Sequence, residues 1–255
     1  MQQAVNLLQP VAHTHGRKAL VIGGGIGGLA TAIALTQIGF EVEVFERVAE
    51  LHEVGAGLSL WANAIRALDY LGLGNAVRAL ALPETAGGIH TPDGKLLMRT
   101  SNVQLQAKFG DLSVMVHRAE LHDMLRTALG RAIRLGMACV AVEEQSQGVR
   151  VRFRNGQEAQ GDLLIGADGL HSQVRTHLHG SQAPTYAGYT AWRGVVPFAV
   201  EQLHPGETWG QGARFGQIPM SGRRVYWFAT HNAPPGQRSP DGEKAALLRI
   251  FGQWH

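Results

Sequence analysis

A glycine-rich turn after a short apolar segment constrains this chain more than any other feature. The segment Ala19 to Ile22 is an uninterrupted apolar run of the kind that forms a buried parallel strand. Gly23, Gly25 and Gly28 then give the pattern G-x-G-x-x-G, and an alanine-rich stretch predicts a helix to about Ile38. A strand, a glycine turn and a helix in this order form the first part of a βαβ unit.

A second predicted strand follows the helix and ends in an acidic residue. Gly39 is expected to stop the helix, Glu41 to Phe45 to form the strand, and Glu46 comes eighteen residues after Gly28. In dinucleotide-binding folds the first glycine allows a tight turn, the second lets a pyrophosphate approach the backbone, and the third lets helix pack on strand. The helix start offers N–H groups to the phosphates, and the acid accepts from the ribose. The spacing therefore predicts dinucleotide binding.

Two other interpretations of this stretch stay open. One is a glycine-rich turn in an ordinary βαβ unit, without a ligand. The other is a membrane helix, because Ala19 to Leu35 is nearly uncharged. Five glycines within the six positions 23–28 make a poor spanning segment.

Composition narrows the class of protein. The 255 residues are 45% hydrophobic and 17% charged, which is typical of a soluble globular chain with one large or two small domains. The net charge is only +3 and no basic run alternates with aromatic residues, so nucleic acid is not an expected partner. The single Cys139 fits a reducing cytoplasm. Residues 1–17 are interpreted as a loose leader without a secretory signal, in which His13 and His15 are too isolated to predict a metal site.

The rest of the first half is predicted to contain two helices and, between them, a stretch of short β segments. The loop of small residues Val54 to Gly57 precedes a predicted helix from Trp61 to Leu71. Residues 83–114, punctuated by Pro and Gly, predict short β segments that extend into a second, sheet-based region. A helix is then predicted from about Ala119 to Leu135. The expected apolar faces of the two helices are Leu60, Ala64, Leu68 and Leu71, and Leu121, Leu125, Ala128 and Ile133.

The second half is predicted to be mainly β. Alternating Val149 to Arg154, the hairpin dipeptide Asn155-Gly156 and their neighbours indicate a three-stranded meander. The segment Asp162 to Ile165 predicts a buried strand that delivers Asp168 at its C-terminal end, where ligands bind in open α/β sheets. A plain turn aspartate is the alternative. The remaining predicted elements are strands Tyr189 to Val196, Ala213 to Pro219 and Arg224 to His231, and a helix capped by Ser239 that reaches Trp254.

Seven stretches carry a family resemblance from about residue 18 to the end. They are VIGGGIGGLATAIAL, VFER, GAGLSLWANAIRALDYLGL, HRAELHDML, LLIGADGLHSQVR, GYTAWRGVV and RFGQIPMSGRRVYWFAT. Together they resemble the class A flavin-dependent (FAD) aromatic hydroxylases or monooxygenases, in the branch of salicylate hydroxylase, urate hydroxylase and zeaxanthin epoxidase. The resemblance implies an α/β fold: a Rossmann-like FAD-binding sheet of the glutathione-reductase type with a β-meander, plus a mainly β substrate domain like that of p-hydroxybenzoate hydroxylase. The expected FAD domain is 18–183, with 83–114 reaching into the substrate region, and the substrate domain is 184–255.

The resemblance also implies roles for individual residues. Arg214 and Tyr226 fall at positions of substrate contacts, and Trp192 and Arg193 belong to the same sheet with their facing left open. The residues implied to bind FAD are Gly23, Gly25, Ile26, Gly27, Gly28, Glu46, Arg47, Ser59, Arg118 and Asp168. No catalytic side chain is implied, because the flavin carries the chemistry.

The implied activity is an NAD(P)H-driven monooxygenase reaction. NADH or NADPH reduces FAD, dioxygen reacts to give a flavin hydroperoxide, and a small aromatic or unsaturated substrate is hydroxylated or epoxidised. The family's second FAD motif, Gly-Asp-Ala-Ala-His, has no counterpart in the 255 residues. The chain is therefore expected to be an N-terminal portion that binds FAD weakly and exposes apolar surface. A non-catalytic FAD-binding or nucleotide-binding fragment and another flavoprotein oxidoreductase of this fold are the alternatives, and the substrate, the nicotinamide preference and the oligomeric state stay open.

Overall fold

The computed structural model describes residues 16–51, 56–83, 87–111, 113–130, 132–199, 201 and 203–255. His13, His15, Val54 and Gly55 lie outside the described residues, as does the leader up to residue 15. Within the described parts the chain folds into two compact units. The first comprises residues 1–52 and 122–184, and the second comprises residues 53–121 and 185–255.

The helices and strands alternate in the first half of the chain, and strands dominate the second half. The strands are β1 (Lys18–Ile22), β2 (Glu41–Phe45), β3 (Gly57–Leu60), β4 (Leu82–Pro83), β5 (Gly87–His90), β6 (Leu96–Thr100), β7 (Val114–His117), β8 (Ile133–Arg134), β9 (Cys139–Gln145), β10 (Gly148–Phe153), β11 (Glu158–Gly161), β12 (Leu163–Gly166), β13 (Tyr189–Pro197), β14 (Gly206–Gly210), β15 (Ala213–Met220) and β16 (Arg224–Asn232). The helices are α1 (Ile26–Gln37), α2 (Ala62–Tyr70), α3 (Gly74–Leu80), α4 (Asn102–Phe109), α5 (Arg118–Leu129), α6 (Gln173–His179) and α7 (Glu243–Phe251).

The first unit is built on a parallel sheet of strand order β12-β1-β2-β8. Strand β1 lies inside this sheet, which explains its uninterrupted apolar sequence, since Ala19, Leu20 and Val21 are fully buried. Ile22 pairs with Phe45 of β2 and with Gly166 of β12. The loops that follow these three strands therefore leave the sheet at the same edge.

An antiparallel meander of order β11-β10-β9 and helix α1 complete this unit. Leu20, Ile22 and Phe45 form one core cluster with Val151 and Phe153 of the meander. The rings of Phe45 and Phe153 lie 4.7 Å apart between centroids. Helix α1 contributes its own buried face to the unit, formed by Gly28, Leu29, Ala32 and Ile33.

The second unit contains a six-stranded sheet of order β13-β16-β15-β14-β5-β6 and a small sheet of order β3-β7-β4. Strand β16 pairs antiparallel with β13 and β15, and β14 pairs antiparallel with β15. Strands β14 and β5 are parallel. The register brings Arg193 opposite Phe228, Val195 opposite Tyr226, and Arg214 opposite Thr230. Because side chains alternate along a strand, Arg193, Arg214, Tyr226 and Phe228 share one face of this sheet.

Trp192 lies on the opposite face of the six-stranded sheet. Its indole nitrogen donates a 2.6 Å hydrogen bond to the Glu243 carboxylate at the start of α7. Phe215 stacks on Trp227 and touches Phe251 of α7 on this face as well. Helix α7 therefore covers the face that carries Trp192, which answers the question of facing that the sequence left open.

Several element predictions are wrong in their bounds. The helix predicted from Ala119 to Leu135 ends at Leu129, because Gly130 turns with a φ of +75°. Ile133 belongs instead to β8, where it pairs with Val44. The last helix begins at Glu243 after Gly242, so Ser239 does not cap it. Of the face predicted for α2, Leu60 and Leu68 are buried, whereas Ala62 and Ile65 are buried in place of Ala64 and Leu71.

Several elements have no counterpart among the predictions, and β3, α3 and β7 are among them. Helix α4 interrupts the region 83–114 that was predicted to be β, helix α6 follows Asp168, and β14 precedes β15. The parallel sheet, the meander, β13, β15 and β16 confirm the predicted fold class. The helices in the described residues are all too short or too polar to cross a bilayer, and Ala19 to Leu35 forms β1, a turn and most of α1.

Candidate functional site

The turn after β1 is shaped by close backbone packing at two glycines. Gly23 has a φ of +109°, and a Cβ added there would lie 2.2 Å from the carbonyl oxygen of Ala167. A Cβ added to Gly28 would lie 1.9 Å from the carbonyl oxygen of Gly23. These two positions exclude any side chain, because the strand, the helix and the segment after β12 meet there.

Gly25 and Gly27 have the opposite environment. A Cβ added at either position would meet no heavy atom of the described residues within 4 Å. Gly25 is the N-cap of α1 and, as a glycine, supplies no side-chain cap, and the first turn of the helix contains no acidic residue. The open surface at Gly25, Ile26 and Gly27 therefore presents helix N–H groups and the positive end of the helix dipole, which is an arrangement that binds phosphate.

Glu46 lies beside this turn at the end of β2. One oxygen of its carboxylate accepts a 2.7 Å hydrogen bond from the Gly24 N–H, and the other accepts one from the Val48 N–H at 3.2 Å. Each carboxylate oxygen has a second lone pair, so both can also accept from a sugar hydroxyl. Arg47 is exposed next to it. The structure thus brings the glycine turn, Glu46 and Arg47 to one edge of the sheet.

His122 contacts the same turn from helix α5. Its Nε2 atom lies 2.7 Å from the carbonyl oxygen of Gly24, and the residue is 4% exposed. Because a carbonyl oxygen only accepts, this nitrogen carries a proton. The sequence analysis did not single out His122. The available signal was a polar residue between the buried Leu121 and Leu125, and the contact joins residues 98 positions apart.

Asp168 lies at the same edge, after β12, where it organises helix α6. Its carboxylate accepts from the Ser172 hydroxyl at 2.5 Å and from the Gln173 N–H at 2.6 Å, with a longer bond from Val174. Ser172 in turn accepts from the Arg175 N–H. The carboxylate therefore holds its own turn, and a contact between Asp168 and the cofactor stays a prediction.

The single cysteine of this unit is a poor nucleophile. Burial, assisted by the negative charge of Asp168, raises the pKa of the Cys139 thiol to about 11. A thiol with this pKa is protonated at neutral pH, and the thiolate is the reactive form.

Two of the predicted FAD contacts lie in the second unit. Ser59 is half-buried in β3, opposite Met115 of β7. Arg118 is the first residue of α5, and its N–H donates to the carbonyl oxygen of Ala56 at 2.9 Å. These two residues therefore stand on adjoining segments of the small sheet. Their contact with FAD stays a prediction.

Arg214 borders a cavity in the second unit. Its guanidinium carbon lies 4.7 Å from the centre of the Trp209 ring, which is a cation–π contact. Trp209 donates a 2.7 Å hydrogen bond to Glu207. The cavity has a volume of about 510 Å³, and Tyr189, Phe228 and Asn232 also line it. An aromatic wall beside a cation can receive a flat ring that carries an acidic group.

Tyr226 lies further along the same sheet face. Its ring covers Gly57 of β3, since a Cβ added there would lie 2.4 Å from the ring. Burial raises the pKa of the Tyr226 hydroxyl, and the positive charge of Arg193 opposes the shift only in part. Tyr226 pairs with Ile218, four residues from Arg214 along β15, which is about 13 Å. Arg214 and Tyr226 thus share a face without touching, and Arg193 lies on the neighbouring β13.

Comparison with known proteins identifies the family of this chain. Residues 17–253 match the family described as FAD binding domain. The chain is 39% identical over 243 residues to aurachin C monooxygenase/isomerase of Stigmatella aurantiaca, covering 94% of this chain and 63% of that protein. It is 36% identical over 245 residues to FAD-dependent urate hydroxylase of Klebsiella pneumoniae, covering 93% and 64%.

A solved structure gives the same result for the fold. The structure of Klebsiella pneumoniae HpxO complexed with FAD and uric acid superposes with a TM-score of 0.88 at 34% identity, covering 98% of this chain and 64% of that chain. The chain thus spans somewhat less than two thirds of the length of these relatives. The match over nearly its whole length shows that it belongs to the FAD binding domain family.

Proposed function

We propose that this chain is the FAD-holding and substrate-contacting part of an NAD(P)H-dependent monooxygenase that acts on a small aromatic compound. The observation that carries the proposal is the phosphate-binding turn of Gly25, Ile26 and Gly27 beside Glu46, in a chain of the FAD binding domain family. The named relatives are a monooxygenase/isomerase and a urate hydroxylase. A cytoplasmic location is part of this proposal, because a lone cysteine fits a reducing compartment.

The residues of the first unit fit the adenine half of FAD. The N–H groups at the start of α1 hold the pyrophosphate, and the missing side chains at Gly25 and Gly27 leave room for it. The Glu46 carboxylate accepts from the ribose hydroxyls while it keeps its bond to Gly24, and Arg47 lies beside it. Ser59 and Arg118 provide further contacts to FAD. Asp168 contributes by fixing the turn after β12 through its bonds to α6.

When bound, the flavin supplies electron transfer from NAD(P)H and the activation of dioxygen. The protein's task is then to hold the substrate and limit the access of water. A monooxygenase with a flavin needs no nucleophilic side chain, and the high pKa of Cys139 agrees with that.

The sheet face with Arg193, Arg214 and Tyr226 is the proposed substrate surface. A guanidinium forms paired hydrogen bonds to a carboxylate or to an ionised ring oxygen, and it stacks on flat rings. The Tyr226 hydroxyl is protonated at neutral pH, as in any tyrosine whose pKa is not lowered, and burial raises its pKa further, so it donates a hydrogen bond to a substrate oxygen. We therefore expect an aromatic substrate with an acidic oxygen or a carboxylate.

Two measurements test this function. The first is the visible spectrum of the purified chain with added FAD, in which flavin bands that co-migrate with the protein are expected. The second is the oxidation of NADH and NADPH with a panel of aromatic acids, phenols and uric acid, each beside its neutral analogue. Stimulation by the acidic members is expected. FAD binding without stimulation by any ring would favour a non-catalytic nucleotide-binding fragment, and a chain that ignores FAD would refute the proposal.

Variants of Arg214 test the substrate surface directly. Arg214→Met removes the guanidinium, and the loss of a hydrogen bond to a charged group of about 1.5–3 kcal/mol should raise KM roughly ten- to a hundred-fold. Arg214→Lys keeps the charge and should recover part of this loss. Arg238→Met is the matched control, because that side chain is 85% exposed and lies outside the proposed surface. Equal KM values for Arg214→Met and Arg238→Met would contradict the assignment.

A further inference from the structure

Gly24, in the middle of the phosphate-binding turn, is held at both of its backbone polar groups. The Glu46 carboxylate accepts from its N–H at 2.7 Å, and His122 Nε2 donates to its carbonyl oxygen at 2.7 Å. Glu46 belongs to the segment after β2 and His122 to helix α5, so two separate parts of the first unit fix one residue. Neither bond is formed within the turn itself.

The bond from His122 determines where the next N–H points. The carbonyl of Gly24 and the N–H of Gly25 belong to the same planar trans peptide, so they point in opposite directions. His122 is 4% exposed, and its bond directs the carbonyl into the protein interior. The Gly25 N–H is thereby directed away from the interior, at a residue whose Cβ position is open for 4 Å. Gly25 is also the N-cap residue of α1, and it supplies no side-chain cap.

We propose that His122 is a positioning residue for the phosphate-binding turn, which aims the Gly25 N–H at the pyrophosphate of FAD by holding the Gly24 carbonyl. Without this bond the Gly24–Gly25 peptide can rotate, since two glycines have few steric limits on their dihedral angles. Binding of the phosphate must then order this peptide, and the conformational entropy that the peptide loses weakens the affinity. The proposal rests on the proposed FAD binding. It concerns the affinity for FAD, because His122 acts through its contact with the turn.

A matched pair of variants isolates the hydrogen bond. In His122→Gln the amide nitrogen is the same number of bonds from Cα as Nε2, so a donor is retained at the required reach. In His122→Met the side chain has similar length and no donor. His179→Met is the control, because this histidine is exposed at the end of α6. If the methionine variant does not fold, His122→Asn replaces it, because its amide nitrogen lies one bond too close to Cα.

The experiment measures the Kd of the full 255-residue chain for FAD, ADP and adenosine, with urea unfolding of each cofactor-free variant alongside. ADP contains the pyrophosphate and adenosine does not. We expect His122→Met to raise the Kd for FAD and for ADP about tenfold, as the loss of one ordered hydrogen bond predicts. The Kd for adenosine should stay within about twofold, and His122→Gln and His179→Met should bind all three ligands like the wild type.

The outcomes separate this inference from the proposed function. An unchanged Kd for ADP in a folded His122→Met protein would overturn the positioning role while FAD binding stands. An equal loss for adenosine and ADP, or no recovery in His122→Gln, would assign His122 a general packing role instead. A wild-type chain that binds neither FAD nor ADP would overturn the proposed function, and the inference with it.

Discussion

Replacing Gly25 and Gly28 by alanine separates ligand binding from folding within a single turn. Gly25 has φ and ψ values of −74° and 177°, which any L-residue adopts, and its Cβ position is open for 4 Å. An added Cβ at Gly28 lies 1.9 Å from the Gly23 carbonyl oxygen. The first methyl group therefore meets only a ligand, and the second meets the protein backbone.

The structure sets the expected magnitudes. Alanine is a poorer N-cap than glycine, which destabilises the protein by about 0.5–1 kcal/mol. Alanine also lowers the conformational entropy of the unfolded chain, which stabilises the protein by about 0.4–1 kcal/mol. The free energy of unfolding of Gly25→Ala should therefore stay within about 1 kcal/mol of the wild type. At Gly28 the added methyl group clashes with a backbone carbonyl oxygen, and overpacking of this kind costs about 1–3 kcal/mol or more. The methyl group at Gly25 should raise the Kd for FAD at least about tenfold, through the loss of one hydrogen bond to a charged phosphate.

The assay combines urea unfolding without cofactor and titration with FAD followed by flavin fluorescence. Gly25→Ala should unfold like the wild type and bind FAD weakly, while Gly28→Ala should unfold at a lower urea concentration. Gly27→Ala adds a control for helix propensity, because its Cβ position is also open and alanine favours a helix. A Gly25→Ala protein that binds FAD with the wild-type Kd would refute the assignment of this surface to the pyrophosphate.

Two further predictions concern stability. Arg78 bonds Asp69 with both terminal guanidinium nitrogens and bonds Asp111 with one of them. The bonds to Asp69 lower the pKa of its carboxyl, so the stability that they contribute is present above the ordinary pKa and is lost as the pH falls through the lowered value. Urea unfolding should show a gap between wild type and Arg78→Met of about 1 kcal/mol or less at neutral pH that closes in acid, and a gap that is independent of pH would contradict this. Asp168→Ala should lower the free energy of unfolding by about 1–2 kcal/mol without FAD, because α6 loses bonds from Ser172, Gln173 and Val174, and an unchanged urea midpoint would show that the carboxylate is free for a ligand.

The elements that local sequence determines were predicted almost to the residue. Strand β2 runs from Glu41 to Phe45 as expected, and α1 ends where Gly39 adopts a positive φ. Both depend on signals within a few residues, namely an apolar run and a glycine stop. The β-hairpin at Asn155-Gly156 was predictable for the same reason, and Gly156 has a φ of +82°.

Elements that depend on distant partners were not predictable. Ile133 follows Leu125 at helical spacing, yet it pairs with Val44 in the parallel sheet after Gly130 breaks the helix. Strand β8 has only two residues, so its sequence carries no period. Sequence reasoning misses helix α6 because it assigns Asp168 to a ligand site or a plain turn and does not recognise Ser172 as a helix N-cap.

The bonds between polar residues at the sheet edge were not predictable either. The spacing predicts that Glu46 is a ribose ligand, and nothing in the sequence indicates that it also holds the Gly24 N–H. His122 reaches the same glycine from 98 residues away. A motif predicts which residue types a ligand requires, but it does not predict which of them are already bonded to one another.

This double use of side chains is a form of preorganisation. The glycine turn, Glu46 and Asp168 follow three adjacent parallel strands, and each polar group already fixes a neighbouring backbone segment before a ligand arrives. A phosphate that binds there loses little free energy to ordering of the protein, which favours affinity. We therefore expect that removal of the polar group of Glu46, His122 or Asp168 lowers stability and affinity together. Substitution of Gly25 or Gly27, whose Cβ positions are open among the described residues, should affect the ligand selectively. Comparison of cofactor-free stability with affinity across these five positions therefore distinguishes residues that build the site from the surface that the ligand occupies.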